Sequence, residues 1–133
     1  MNPVEIEQAI SELALQPFDS AEFAYAFLEA FGNKATTIKR LRSGTSNKSD
    51  LGGVLQTNNI HIATSEVGAV TQMLVALKAS PATGRAKARF ILATDGESFE
   101  AEDLHTGETV ACSYQAFPDH FGFFLPLAGI TMV

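Results

Sequence analysis

Asn59-Ile60-His61-Ile62-Ala63-Thr64 is the stretch on which the fold turns, and its neighbours on either side give it meaning. Its apolar and β-branched residues suit a strand, with Ile60 and Ile62 on one face and Asn59, His61 and Ala63 on the other. Residues 51–56 supply a second strand, and Thr57-Asn58 between the two is short enough to turn a hairpin. Downstream, a helix opens at Glu66, carries Val67, Val70, Met73, Leu74 and Leu77 on one face, and ends at Ser80-Pro81. Another short apolar strand follows at residues 89–93. A strand pair, a crossover helix and a further strand predict a mixed sheet with a helix packed across it.

The pattern continues towards the C-terminus. Asp95-Gly96 is a strong turn signal, residues 99–104 form a strand, and Thr106-Gly107 turns into another at residues 109–112. The final residues, including Phe123, Phe124, Leu125, Leu127, Ile130, Met132 and Val133, are strongly apolar. They suit either a last core strand or a surface that a longer polypeptide would cover.

Upstream, Asn2 caps a first helix with Pro3 at its first position, and Val4, Ile6, Ile10, Leu13 and Ala14 recur at helical spacing until Gln16-Pro17. Asp19 or Ser20 caps a second helix with Phe23, Phe27, Leu28 and Phe31 along its apolar stripe, and Gly32 stops it. Thr36, Thr37, Ile38 and Leu41 favour an extended segment, after which residues 43–49 read as a polar loop. The expected class is therefore α/β or, equally, α+β: a mixed β-sheet flanked by helices, built as one domain over residues 1–133.

Composition narrows the function. The chain has 133 residues, 46% of them hydrophobic, and a formal net charge of -6. Against that acidic background the segment 30–65 holds Lys34, Lys39, Arg40, Arg42 and Lys48 with Asp50 as an acid. A local positive strip in an acidic protein suits an anionic partner, above all a phosphate backbone, with no neighbouring acids to neutralise it. Cys112 is the single cysteine, which excludes an internal disulfide and a cysteine zinc cluster. It is expected to be a buried, inert thiol. No stretch has the apolar length to span a bilayer, and no basic-apolar leader opens the chain, so a reducing cytoplasm is the expected location. His105 and His120 read as turn and packing residues, and Glu97, Glu100, Glu102 and Asp103 as the charges of a solvated hairpin.

Three stretches together carry a family likeness. They are Phe27-Leu28-Glu29-Ala30-Phe31-Gly32-Asn33-Lys34; Lys48-Ser49-Asp50-Leu51 leading into the 59–64 strand; and residues 89–104 followed by Thr106-Gly107-Glu108-Thr109-Val110 and Phe121-Gly122-Phe123. In this order the chain resembles the N-terminal domain of MmeI-like restriction and modification enzymes. Those single polypeptides join an endonuclease domain, a helical spacer, an S-adenosylmethionine-dependent adenine DNA methyltransferase and a target-recognition domain. The resemblance implies a PD-(D/E)xK nuclease-like fold and makes this chain a fragment of a longer restriction-modification polypeptide. DNA and the downstream spacer and methyltransferase domains would be its partners. S-adenosylmethionine would serve the parent protein, with no cofactor in this domain.

That fold's chemistry needs an Asp and a Glu to hold a divalent metal and a Lys to act on water, the Glu-x-Lys lying roughly ten residues beyond the Asp. Asp50 matches the first position and is the metal ligand if there is one. Ten residues on stand Asn59 and His61, neither a carboxylate nor a lysine. The implied cleavage centre is therefore degenerate, with Glu66 and Glu29 as acids that could replace the missing one. Three readings follow: a cleavage-inactive domain that supports DNA engagement; an active Mg²⁺-dependent endonuclease with a migrated acid; and a non-enzymatic protein-interaction module.

Overall fold

A computed structural model describes residues 1–131 of the chain. Five helices and five strands appear in the order α1 (Pro3–Leu15), α2 (Phe23–Ala30), α3 (Ala35–Arg42), β1 (Val54–Gln56), β2 (Ile60–Thr64), α4 (Val70–Ala79), α5 (Pro81–Arg85), β3 (Phe90–Thr94), β4 (Ser98–Asp103) and β5 (Thr109–Ser113). A kinked 3₁₀ segment, Tyr114–Ala128, follows them. The strands lie side by side in sequence order, antiparallel except for the parallel pair β2 and β3. This is an α+β fold with a mixed sheet flanked by helices, as the hairpin and crossover pattern predicts.

Both faces of the central strands are buried. Ile60, Ile62, Phe90, Leu92, Phe99 and Ala101 face α1, α2 and the 3₁₀ segment. Ala63, Ile91 and Ala93 face α4. Aromatic rings fill the first layer: Phe117 stacks on Phe99 with centroids 4.7 Å apart, and Phe124 meets Phe27 edge-on at 5.2 Å. Burying such rings away from water is the main favourable term for this half of the core.

Several elements differ from the sequence expectation. Residues 36–42 are not extended but form α3, because Ile38 and Leu41, one helical turn apart, both enter the core. That apolar stripe outweighs the small helix penalty of Thr36, Thr37 and Ile38. Helix α4 begins at Val70 rather than Glu66, and Val67 is 69% exposed. Pro81 does not only stop α4: it sits in the first turn of α5. The apolar C-terminal residues form 3₁₀ turns rather than a strand, with a break at His120 and Pro118 and Pro126 inside. Met132 and Val133, part of the same expectation, lie outside the described residues.

The acidic hairpin is also less solvated than expected. Glu100 accepts from Thr71 Oγ1 at 2.6 Å, Glu102 pairs with Lys78 Nζ at 3.0 Å, and Asp103 pairs with Arg89 Nη2 at 3.0 Å. Strand alternation puts the first two under α4 and the third on the opposite face.

At the sheet edge, the loop after α3 returns along β1. Leu55 N–H donates to Asn47 Oδ1 at 2.9 Å, and Lys48 N–H donates to the Leu55 carbonyl at 3.1 Å. These bonds satisfy the outward groups of an edge strand. Just before β1, Gly53 lets the chain pack directly on β2, since a Cβ there would lie 2.1 Å from the Ile62 carbonyl oxygen.

Candidate functional site

The five cations of the strip come from two structures. Lys34 precedes α3, Lys39, Arg40 and Arg42 lie in its last turns, and Lys48 lies on the edge-covering loop. All five are exposed. Arg42 departs from the expectation that no acid is near. Its Nη1 is 2.7 Å from Glu22 Oε2, and its guanidinium lies over the Tyr25 ring at 4.3 Å. Sequence could not pair Arg42 with an acid twenty positions away. Lys34, Lys39, Arg40 and Lys48 have no ion-pair partner among the described residues.

The nuclease-like positions are arranged differently from a metal centre. Asp50 is exposed, and its two carboxylate oxygens share the one proton of Ser80 Oγ, at 2.7 and 2.9 Å. Asn59 donates its amide to Gln56 Oε1 at 2.8 Å, and Gln56 in turn donates to Asn33 Oδ1 at 2.9 Å. Glu66 lines a cavity of about 590 Å³ with Leu51, Thr64 and Met73. Glu29 lines a separate cavity of about 390 Å³ between α1 and α2, on the other helical layer. The fold therefore brings Glu66 near the Asp50 loop but leaves Glu29 far from it. Among the described residues, no three His, Cys, Asp or Glu side chains gather as a metal cluster. Asp50 presents its carboxylate to a hydroxyl donor, and no second carboxylate shares that contact among the described residues.

His61 is fully buried, and its protons can be assigned from its partners. Thr83 Oγ1 donates its proton to the Leu77 carbonyl at 2.7 Å, so at 2.9 Å it accepts from His61 Nδ1–H. His61 Nε2 is then the acceptor for Ser49 Oγ–H at 2.7 Å. The Ser49 oxygen itself accepts the backbone N–H groups of Leu51 and Gly53. The imidazole is neutral, with both nitrogens used and no lone pair left for a metal. Burial pushes its pKa below 6.5, against a smaller opposing effect from the Asp50 charge. His61 thus joins the 47–53 loop, β2 and α5.

Cys112 is partly buried, and burial, with Asp119 nearby, raises its thiol pKa, which suits an unreactive thiol. No helix among the described residues is long and apolar enough to cross a membrane.

A further cationic feature joins the strip to a residue outside it. Lys48 and Arg85 line one cavity of about 340 Å³ together with Thr57, Ala82 and Ala86. Arg85 escaped sequence reasoning because Ser80-Pro81 read as a terminator, whereas Pro81 opens the short helix that carries it.

Fold and surface together define an α+β domain with a mixed sheet and a local basic surface. The chain belongs to the family described as the MmeI N-terminal domain, which it matches over residues 1–133. It is 28% identical over 131 residues to DNA methyltransferase A of Bacillus subtilis (strain 168), covering 98% of this chain and 15% of that protein. The chain thus spans a small part of its relative's length. No solved structure matches it.

Proposed function

We propose that this chain is the nuclease-like N-terminal domain of an MmeI-like DNA methyltransferase or restriction-modification protein, and that it engages DNA without cutting it. The observation that carries the reading is the outward array of Lys34, Lys39, Arg40 and Lys48 on an acidic chain, without acid partners among the described residues. Such an array attracts a phosphate backbone through charge and counterion release, independently of sequence. Membership in the MmeI N-terminal family and likeness to a DNA methyltransferase support DNA as the partner. Target selection and S-adenosylmethionine binding would belong to downstream domains of the same polypeptide.

The PD-(D/E)xK reading of the fold is supported by the hairpin, crossover helix and parallel strand at its centre. Loss of cleavage is supported by the chemistry of β2 and its approach. Asn59 offers a neutral amide already donating to Gln56, and His61 offers no free lone pair. Neither can replace a metal-binding carboxylate or a fixed lysine charge.

Two measurements test this. Anisotropy of a labelled duplex should show salt-dependent binding that Lys39→Glu with Arg40→Glu weakens by about ten-fold or more at low salt. Supercoiled plasmid incubated with Mg²⁺ or Mn²⁺ should remain intact. Nicking abolished by Asp50→Ala would instead establish an active endonuclease, with Glu66 as the first acid to test. Salt-independent or absent DNA binding would favour an interaction module.

A further inference from the structure

We infer that the cleft between Lys48 and Arg85 is a seat for one phosphate of the nucleic-acid backbone, with the Thr57 hydroxyl as its neutral donor. This rests on the DNA-engagement reading and adds Arg85, which the sequence strip does not contain, as a phosphate contact. Lys48 and Arg85 line the same cavity of about 340 Å³, and neither is ion-paired among the described residues. Two cations that border one space favour an anion between them. Arg offers a planar fork that suits phosphate oxygens, Lys a mobile point charge. Ala82 and Ala86 complete the lining with small side chains that leave room for the ligand.

The backbone around Arg85 is prepared for an anion in a second way. A helix C-terminus normally exposes carbonyl oxygens that would repel phosphate. Here Ala86 N–H donates to the Ala82 carbonyl, Ala88 N–H to that of Thr83, Lys87 N–H to that of Gly84, and Asn58 N–H to that of Ala86. These acceptors at the end of α5 are therefore occupied. The nearby acid, Asp50, is held by Ser80 at the opposite end of α5, about 7.5 Å along the helix from Arg85 at 1.5 Å per residue.

The test uses the 133-residue chain and a labelled DNA duplex of arbitrary sequence, read by anisotropy across a salt series. Arg85→Ala and Lys48→Ala should each weaken binding by about five-fold and lower the salt slope by about one unit. Arg85→Lys, which keeps the charge, should retain more affinity than Arg85→Ala. Lys87→Gly removes an adjacent exposed cation outside the cleft and should change affinity less than about two-fold. Wild-type affinity in Arg85→Ala overturns the inference, as does an equal loss in Lys87→Gly, which would mark a general charge effect. A sodium phosphate titration followed by amide NMR supplies the other arm. Shifts at Lys48 and Arg85 without any effect of Arg85→Ala on DNA would make free phosphate the ligand and likewise overturn it. If Lys39→Glu with Arg40→Glu weakens binding while Arg85→Ala keeps the wild-type affinity, the basic strip survives and the cleft falls. Absence of binding by the unmodified chain at low salt overturns both.

Discussion

Ser49 Oγ and His61 Nε2 meet at 2.7 Å, and the serine donates, because the other histidine nitrogen already gives its proton to Thr83. A pair that resembles a nucleophile and its base is thereby a structural clasp. The serine oxygen is occupied by two backbone N–H groups, and the ring is fully buried. Protonating Nε2 would set an N–H against a hydroxyl that has no acceptor geometry to spare.

The clasp makes stability depend on pH. Burial depresses the folded pKa of His61 below its ordinary 6.5, so the unfolded chain takes up a proton more readily. The contribution is complete above 6.5 and is lost as pH falls through the folded value. Urea unfolding between about pH 7 and 5 should show falling stability in wild type and a flatter profile, from a lower start, in His61→Gln. Parallel profiles would rule this out.

Asp95 ties the approach to α4 to the β3-β4 turn. Its Oδ1 accepts from the N–H groups of Glu97 at 2.8 Å and Ser98 at 2.7 Å, and its Oδ2 accepts from Gly68 at 2.9 Å. Burial alone would raise its pKa, but these donors together outweigh it and hold the pKa below 3.8. Asp95→Ala should cost about 2–3 kcal/mol by leaving three donors unmet. In wild type the same contribution should persist above pH 3.8 and fade below it, as acid unfolding would report.

Gly53 tolerates no side chain, because the Ile62 carbonyl stands 2.1 Å from where a Cβ would lie. Gly53→Ala should therefore destabilise by about 3 kcal/mol or more, since backbone rather than a flexible side chain must move. A melting temperature equal to wild type would show that the β1 approach is looser than described.

Lys87 occupies a left-handed conformation, φ 56, just after α5, with Ala88 N–H bonded to the Thr83 carbonyl and Lys87 N–H to that of Gly84. This is the helix ending that glycine favours. Lys87→Gly should stabilise the chain by about 1 kcal/mol, a gain that chemical denaturation can resolve. A loss of stability would mean that the lysine side chain contributes more than its backbone strain costs.

Much of the sheet was legible because its signals are local. The Thr57-Asn58 and Asp95-Gly96 turns and the short apolar strands place β1 to β5 within a few residues. Helix α3 was misread because three consecutive β-branched residues speak for a strand, while the deciding pair, Ile38 and Leu41, gains its meaning from the core it enters. The same distinction governs the site. Exposed cations are visible in composition, but the partner of Arg42 lies twenty residues away, and those of His61 twelve and twenty-two. Arg85 needed the fold to bring α5 beside the loop that carries Lys48.

The loop along β1 fixes how a ligand could be met. Lys48 is anchored by its own backbone to Leu55, next to Asn47, so it cannot swing out to follow a moving partner without uncovering the edge of the sheet. Its backbone is tied to the sheet edge before any encounter, which limits the backbone freedom to be lost on binding. On the proposed function, a nucleic acid would fit itself to this surface, bending or sliding until a phosphate comes into register.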